Sequence, residues 1–360
     1  MKDICFKIQL LICFIPAVFC SLAAAELPKL KFVPGDKYLL VSGSEQKMSR
    51  VMDGNEKSME QAVRFECNLD VDEVDDSGNA WTKYTYKRIV MTQSSKEQKF
   101  EFDSDTNQLR VPLQAMPLQA IVGESIYVRI TPQGHIDKVN GVPALIASAK
   151  GKIGNFPGAD IVMQNIGIQF EESGIKRSLE EQFAVFPDSN NGETVWTSRE
   201  IVSSAEFGFF AKSDYIDDVN IVFEKTFRLS EKPGKSGVSV VDINLVIQPE
   251  ATPAATTQTS DNSVISPIKM SREITGSGVS QVEIENATGR IIINKATQDI
   301  TERIKKTTQN QMLRPMAEPE PIVLHRVMSF QMTKIKEGKP AEKVKNEATP
   351  EADSNEKGAI

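Results

Sequence analysis

One pleated unit occurs twice in this chain, and it narrows the folds the chain can adopt. The first copy reads Ile121-Val122-Gly123-Glu124-Ser125-Ile126-Tyr127-Val128-Arg129-Ile130, then Thr131-Pro132-Gln133-Gly134, then His135-Ile136-Asp137-Lys138. Residues 126, 128 and 130 form an apolar face against Tyr127 and Arg129, the pattern of a half-buried strand. Pro132 sets φ early in a turn and Gly134 supplies positive φ, so the chain should return as a hairpin. The second copy reads Ser280-Gln281-Val282-Glu283-Ile284-Glu285, then Asn286-Ala287-Thr288-Gly289, then Arg290-Ile291-Ile292-Ile293. The alternation, the four-residue turn and the turn glycine all recur.

The correspondence extends outward from the hairpins. Gly35-Asp36-Lys37-Tyr38-Leu39 is echoed by Gly192-Glu193-Thr194-Val195-Trp196, at nearly the same distance before Gly134 and Gly289 respectively. Val63 and Val219 open strands at matching distances from Gly35 and Gly192. The expected organisation is therefore a leader at 1–25, a first β-rich repeat at 26–150, a helical bridge at 151–186, a second β-rich repeat at 187–337 and a disordered tail at 338–360. The fold class is mainly β (α+β): two related antiparallel β-sheet halves, as a sandwich, barrel or half-barrel, with short connecting helices.

Between these landmarks the strands are legible. Val63, Phe65, Cys67, Leu69 and Val71 alternate along 61–72, Asp76-Ser77-Gly78-Asn79 marks a turn, and Ala80–Gln93 returns. On that return, Trp81 and Ile89 are placed on the face opposite Tyr84 and Tyr86. Phe100–Leu118 reads as a looser connection, with Pro112 and Pro117 bracketing an extended piece. Val142–Ala149 suits a helix with Pro143 in its first turn, and two short helices are expected at 160–170 and 174–183. Strands follow at 219–229, 238–247 and 321–336. Residues 296–306 suit helix or strand, and the threonines favour strand. Residues 248–263 are low in complexity and suit a mobile loop. The tail lacks large apolar residues, the composition of a segment that forms no packed core.

The N-terminus bears on location. Lys2 and Lys7 form a weak basic start, Ile8–Leu22 is an apolar run broken only by Gln9, Pro16 and Ser21, and Ala23-Ala24-Ala25 offers a cleavage site before Glu26. The expectation is an exported product, periplasmic or extracellular, cleaved near Ala25. The rival is a lipid anchor at Cys20, against which stands the bulky Phe19. No other run is long and apolar enough to span a bilayer, so no transmembrane span is expected in the mature chain. Of four cysteines only Cys67 lies beyond the leader, so no internal disulfide is available. The net charge of −7 argues against nucleic acid as the partner.

Chemistry-bearing patterns are sparse. Cys67 shares a strand face with Phe65 and Leu69 and reads as a small buried apolar residue. The acidic group Asp70, Asp72, Glu73, Asp75 and Asp76 resembles a calcium loop only until Val74 breaks the alternation. Ser173-Gly174-Ile175-Lys176 and Ser266-Pro267-Ile268-Lys269 match S-x-x-K without its companion motifs. A Ser-His-Asp arrangement would have to use His135 or His325, the only histidines. Asn286-Ala287-Thr288 is a sequon that reads as a turn. No catalytic, cofactor-binding or metal-ligating residue is assigned, and no cofactor is called for. What remains is apolar: Ile291-Ile292-Ile293, Ile221-Val222-Phe223 and Phe207-Gly208-Phe209-Phe210 are apolar on both strand faces. The bland source is a sheet covered by helices; the sharper one is a sheet face lining a cavity for an acyl chain.

Leu30-Lys31-Phe32-Val33-Pro34-Gly35-Asp36-Lys37-Tyr38, the strand pair around Asp75-Asp76-Ser77-Gly78-Asn79, and Thr131-Pro132-Gln133-Gly134 resemble one half of a known family. Phe186-Pro187, Gly192-Glu193-Thr194-Val195-Trp196, Gly276-Ser277-Gly278 and Ala287-Thr288-Gly289-Arg290 resemble the other. It is the bacterial secreted group catalogued as domain of unknown function 6263, and the resemblance runs over 28–336. It implies an exported β-rich protein and transfers no catalytic residue. The leading expectation is a non-enzymatic cell-envelope protein that binds an envelope partner or an apolar ligand such as a lipid. The alternatives are an envelope scaffold and an uncharacterised hydrolase.

Overall fold

The computed structural model describes residues 29–52, 55–106, 111–154, 159, 163, 170–188, 193–204, 216–217, 219–230, 235–250, 270–306 and 321–335. The leader, most of the low-complexity stretch, the Phe207–Phe210 run, most of the helix expected at 160–170 and the tail lie outside these. In chain order the elements are β1 (Lys37–Met52), β2 (Asn55–Val74), β3 (Ala80–Ser95), β4 (Lys99–Asp103), α1 (Met116–Ile121), β5 (Ser125–Ile130), β6 (Ile136–Asn140), α2 (Val142–Ile153) and α3 (Glu172–Phe183). They continue with β7 (Val195–Ser203), β8 (Ile216–Asp217), β9 (Asn220–Leu229), β10 (Val238–Pro249), β11 (Met270–Glu285), β12 (Ile291–Lys306) and β13 (Ile322–Lys334).

All the strands belong to one sheet, in the order β6-β5-β3-β2-β1-β13-β12-β11-β10-β9-β7, with β4 added beside β3 and β8 beside β11. Pairing is antiparallel except for the two residues of β8. The first five strands of this order are a meander in chain sequence, and so are β12 back through β7. β13 returns from the end of the chain to pair with both β12 and β1. The two groups thus share one sheet instead of facing each other as two.

The sheet is strongly curled. β2 and β9 are six strand spacings apart, roughly 30 Å on a flat sheet. Yet Val63 of β2 and Phe227 of β9 line the same cavity of about 180 Å³, so the intervening strands bend around it. Gly276 and Gly278 of β11 lie inside that bend. A Cβ on Gly278 would meet the Thr297 carbonyl oxygen of β12 at 2.8 Å, and one on Gly276 the Asp299 oxygen at 2.5 Å. Glycine in a strand interior marks such a close approach. The concave face carries the main core, in which Leu40, Cys67, Leu69, Tyr84, Val241, Val282 and Phe330 pack with Leu118, Leu145, Ile175, Leu179 and Phe183 of the helices. A second cluster of Ile221, Leu245, Ile247, Ile274, Ile300 and Leu324 fills the same face toward the far end of β9–β13.

Several local features depart from the sequence reading. Residues 100–118 are not a loose connection: β4 occupies 99–103, and Leu113–Ala115 is a 3-10 turn leading into α1. Pro117 sits in the first turn of α1, where its missing N–H costs nothing, so a proline taken as an extended bracket is a helix opener. Ile121 therefore ends a helix, and the hairpin strand starts at Ser125. On β3 the alternation reverses midway. Glu66 pairs with Arg88 but Cys67 pairs with Tyr86, a bulge that leaves Lys87 extra. Ile89 and Met91 thereby join Tyr84 and Tyr86 in the core, and Ile89 is not on the Trp81 face. Residues 296–306 are strand, as the threonines favoured.

Both hairpin glycines adopt positive φ, 85° at Gly134 and 68° at Gly289. The N-terminal segment ties the two turns together: Leu30 N–H donates to Pro132 O at 2.9 Å, and Lys31 N–H to Thr288 O at 2.8 Å.

Candidate functional site

α3 is the element that shapes the site. Ile175, Leu179 and Phe183 recur at helical spacing and are buried. Phe183 packs edge-on to Phe330 of β13, ring centroids 5.4 Å apart. At its C-terminal end Glu180 accepts the Ile136 N–H of the edge strand β6 at 3.1 Å. The helix is thus held over the concave face by one apolar stripe, and its flanks are left free to line space.

Two adjoining cavities lie on these flanks. The larger, about 270 Å³, is walled by Phe65, Tyr84, Tyr86, Met91, Leu118 and Phe170 with α3 residues. Tyr86 is in edge contact with Phe65, Tyr84 and Phe170, at centroid separations of 5.3–6.4 Å. Burial raises the phenols of Tyr84 and Tyr86 well above their usual range, so both are neutral. The other cavity, about 180 Å³, runs over β9–β13 and mixes Phe227, Ile243 and Met328 with Arg177, Lys225, Arg326, Asn294 and Gln298. Ser42, Val63, Phe65, Ser178 and Gln182 border both, so the two are compartments of one space. Together they fall within the roughly 300–1,000 Å³ of small-molecule sites. Among the described residues the Gln182 Oε1 atom is buried without a hydrogen-bond partner.

The strand registers reveal a further pattern. Gln93, Gln61, Gln46, Arg326 and Gln298 are directly paired neighbours on β3, β2, β1, β13 and β12. The row continues through Gly278 and Leu245 to Lys225 of β9. This polar belt crosses a concave face that is otherwise largely apolar. On the α3 side its neighbours two residues along are Met91, Val63, Ser44, Met328, Ala296, Ser280, Ile243 and Phe227. On the other side they are Ser95, Met59, Met48, Leu324, Ile300, Gly276, Ile247 and Phe223. Gln46 donates to Gln61, Gln93 Nε2 approaches Met59 Sδ at 3.2 Å, and Arg326 Nε donates to Ser44 Oγ at 3.2 Å. No motif announces the belt, because its members are scattered over more than two hundred residues.

The residues singled out in the sequence do not converge on this space. His135 and His325 are about half exposed, and each pairs with an aspartate, Asp188 at 2.9 Å and Asp299 at 2.7 Å. They lie on separate parts of the surface and neither borders either of these two cavities. Asp75 is an organising group of its turn: it accepts from Asn79 and Ser77 and forms an ion pair with Arg129 at 2.6 Å. Among the described residues no group of three or more His, Cys, Asp or Glu is placed to hold a metal. Ser173 donates to Glu171; Ser266–Lys269 lies outside the described residues.

Cys67 is 1% exposed, and burial pushes its thiol up to about 12. A thiol reagent should therefore leave native protein at neutral pH unmodified and label Cys67 only as fast as the chain opens. Rapid labelling of the folded protein, timed by absorbance, would contradict this. The hydrogen bonds from Asn79 and Arg129 lower the Asp75 carboxyl to about 2. Its stabilising contribution is complete above the ordinary aspartate value and is lost as pH falls toward 2. Asp75→Asn should flatten the acid limb of stability between about pH 4 and 2, read by urea denaturation at each pH.

A family described as "Family of unknown function (DUF6263)" matches residues 77–216, which supports assigning the chain to it. The rest of the 28–336 resemblance lies outside that match. No curated protein matches the chain. Among solved structures, one titled "Lipid-protein interactions in lipovitellin" is similar over 87% of this chain, with 8% identity and a TM-score of 0.42. The chain spans about a quarter of that protein's length, 26%. A bacterial polysaccharide outer membrane secretin (9% identity, TM-score 0.23) and Pseudomonas aeruginosa OccK7 (6%, 0.24) are similar over 85% and 84% of this chain and 100% of theirs. At such scores these likenesses carry no argument. Among the described residues no helix is long and apolar enough to cross a membrane.

Proposed function

We infer that this DUF6263 chain is a binding module that holds an apolar ligand between the concave face of its sheet and α3. The observation that carries the reading is the pair of cavities sharing Ser42, Val63, Phe65, Ser178 and Gln182. Concave, mostly apolar space with a few polar groups is the usual form of a small-molecule site. The aromatic walls of the larger compartment suit an acyl chain. The reading is of a binder and not a catalyst: the histidines are spent on surface hydrogen bonds to aspartates, and the buried thiol is held neutral. We read the product as exported, on the apolar run at 8–22 and the Ala23–Ala25 site. The two five-strand meanders are read as copies of one unit.

The convex face favours water over lipid. Glu45, Lys47, Glu60, Arg64, Glu66, Lys295 and Asp299 lie on it, whereas a membrane barrel presents an apolar outward band. The scaffold reading draws on the same face, where Val279, Val323 and Val327 are 39–60% exposed; such valines, scattered among charges, are weak support for a partner surface.

A neutral fluorescent long-chain alcohol tests the cavity. The wild-type protein should bind it at micromolar concentration. Ser42→Phe, which fills the shared space between Phe65 and Phe330, should weaken binding about tenfold or more without lowering the melting temperature. A wild-type protein that ignores the probe, or a Ser42→Phe protein that binds it unchanged, would refute the reading.

A further inference from the structure

We propose that the compartment over β9–β13 is a head-group site, so that the ligand is a single-chain amphiphile with an anionic head. The inference rests on the cavity reading above and adds the chemistry and direction of the ligand. Its tail would lie among Tyr84, Tyr86 and Phe170, and its head on the polar belt at Lys225.

Three observations carry it. The first is where charge lies: the two compartments share a border and both carry apolar and amide side chains, but among the described residues the charged side chains line only the β9–β13 one. A ligand occupying both would meet charged groups at one end only. The second is the sign of the charge. Among the described residues, Arg177, Lys225 and Arg326 line the second compartment with Glu181 and Glu200, an excess of one positive charge in a chain whose net charge is −7. The third is the distribution of that charge. Arg177 Nε lies 3.4 Å from Glu200 Oε1, and Arg326 Nη2 lies 3.9 Å from Glu181 Oε2. Lys225, half-buried, has no carboxylate partner among the described residues. A partly desolvated ammonium gains most from an anion delivered to it.

Geometry supports the same end of the space. Lys225 and Gln298 are separated along the belt by Leu245 and Gly278. Gly278 projects no side chain, and the Gln298 side chain leans over it, its Cγ 3.0 Å from where a Cβ would sit. An anionic oxygen seated at the Lys225 end of the belt would meet the ammonium. Carboxylate and phosphate heads share this chemistry.

The test uses three fluorescent probes with one chain length: an alcohol, a fatty acid and an alkyl phosphate, at pH 7.5 and low salt. Wild-type protein should bind at least one of the two anions about tenfold more tightly than the alcohol, and which one binds identifies the head. Lys225→Gln should abolish that preference by weakening the anion far more than the alcohol, and Lys225→Arg should keep it. Circular dichroism of each variant verifies folding. If the alcohol binds as tightly as both anions, or if Lys225→Gln retains the preference, the head-group inference is overturned and the cavity reading stands. If no probe binds, both fall.

Discussion

Gly134→Ala is expected to lose several kcal/mol of stability, more than almost any other single methyl addition to this chain. Two effects add. At φ 85° an L side chain costs about 1–2 kcal/mol. In addition, a Cβ there would overlap the Phe183 carbonyl oxygen and carbon at the end of α3. The obstacle is backbone, so no rotamer change relieves it. Either the β5–β6 turn or the C-terminus of α3 must move, and Phe183 is fully buried against Phe330. Gly123→Ala is the matched control. Its φ is 86°, but nothing lies within 4 Å of the added Cβ, so only the backbone cost of about 1–2 kcal/mol applies. Urea midpoints of the two variants should differ clearly. Equal losses would mean that the turn does not bear on α3 as described. Because α3 lines both cavities, Gly134→Ala should weaken ligand binding as well, and Gly123→Ala should not.

The second large effect is expected at Glu302. Arg272 and Glu302 form an ion pair at 2.6 Å with side chains only 3% and 2% exposed, beside the apolar cluster of Ile274, Ile300 and Leu324. Breaking such a pair leaves one charge buried without compensation and costs about 3–5 kcal/mol. The two ends are not equivalent. Burial raises the Glu302 carboxyl above the usual range, against the pull of Arg272 and Arg50, so the acid can take up a proton when its partner is removed. The guanidinium cannot shed one at any accessible pH. Arg272→Met should therefore be milder in acid and worse toward neutrality, whereas the cost of Glu302→Gln should shrink as pH rises, because the neutral amide does not titrate.

The sign in the wild type follows from the same group. A carboxyl whose folded value is raised contributes stability fully below its unfolded value, and that contribution is lost as pH rises through the folded value. Glu302→Gln should remove this decline. Denaturant titrations from pH 4 to 8 would measure it, and parallel pH profiles for wild type and Glu302→Gln would contradict the assignment. Replacing both partners with apolar residues should recover much of the loss.

How much of this was visible in the residues differs from element to element. The strands around Val63–Val71, 219–229 and 322–334 announce themselves, because a half-buried strand needs period-two alternation and nothing else produces it over so many residues. Gly134 and Gly289 are legible as turn glycines for the same local reason. The β3 bulge is not, since one extra residue inverts the face of everything beyond it and only the pairing partner shows where it falls. α1 was hidden by its prolines, which read as extended segments until the turn before them is seen.

The cavity and its belt belong to another class. Alternation assigns Gln46, Gln61, Gln93, Gln298 and Arg326 to strand faces, but says nothing of which strand lies beside which. The belt exists because β13, from the end of the chain, pairs between β1 and β12 in one particular register; a slip of one residue would turn its side chain to the other face. The sequence by itself determined the strands, their turns and the apolar surplus that demands cover, because those are set by neighbours in the chain. Only the tertiary structure decided the curl of the sheet, the helix laid across it and the polar row inside it. Those depend on contacts between residues hundreds of positions apart, whose energies no local pattern records.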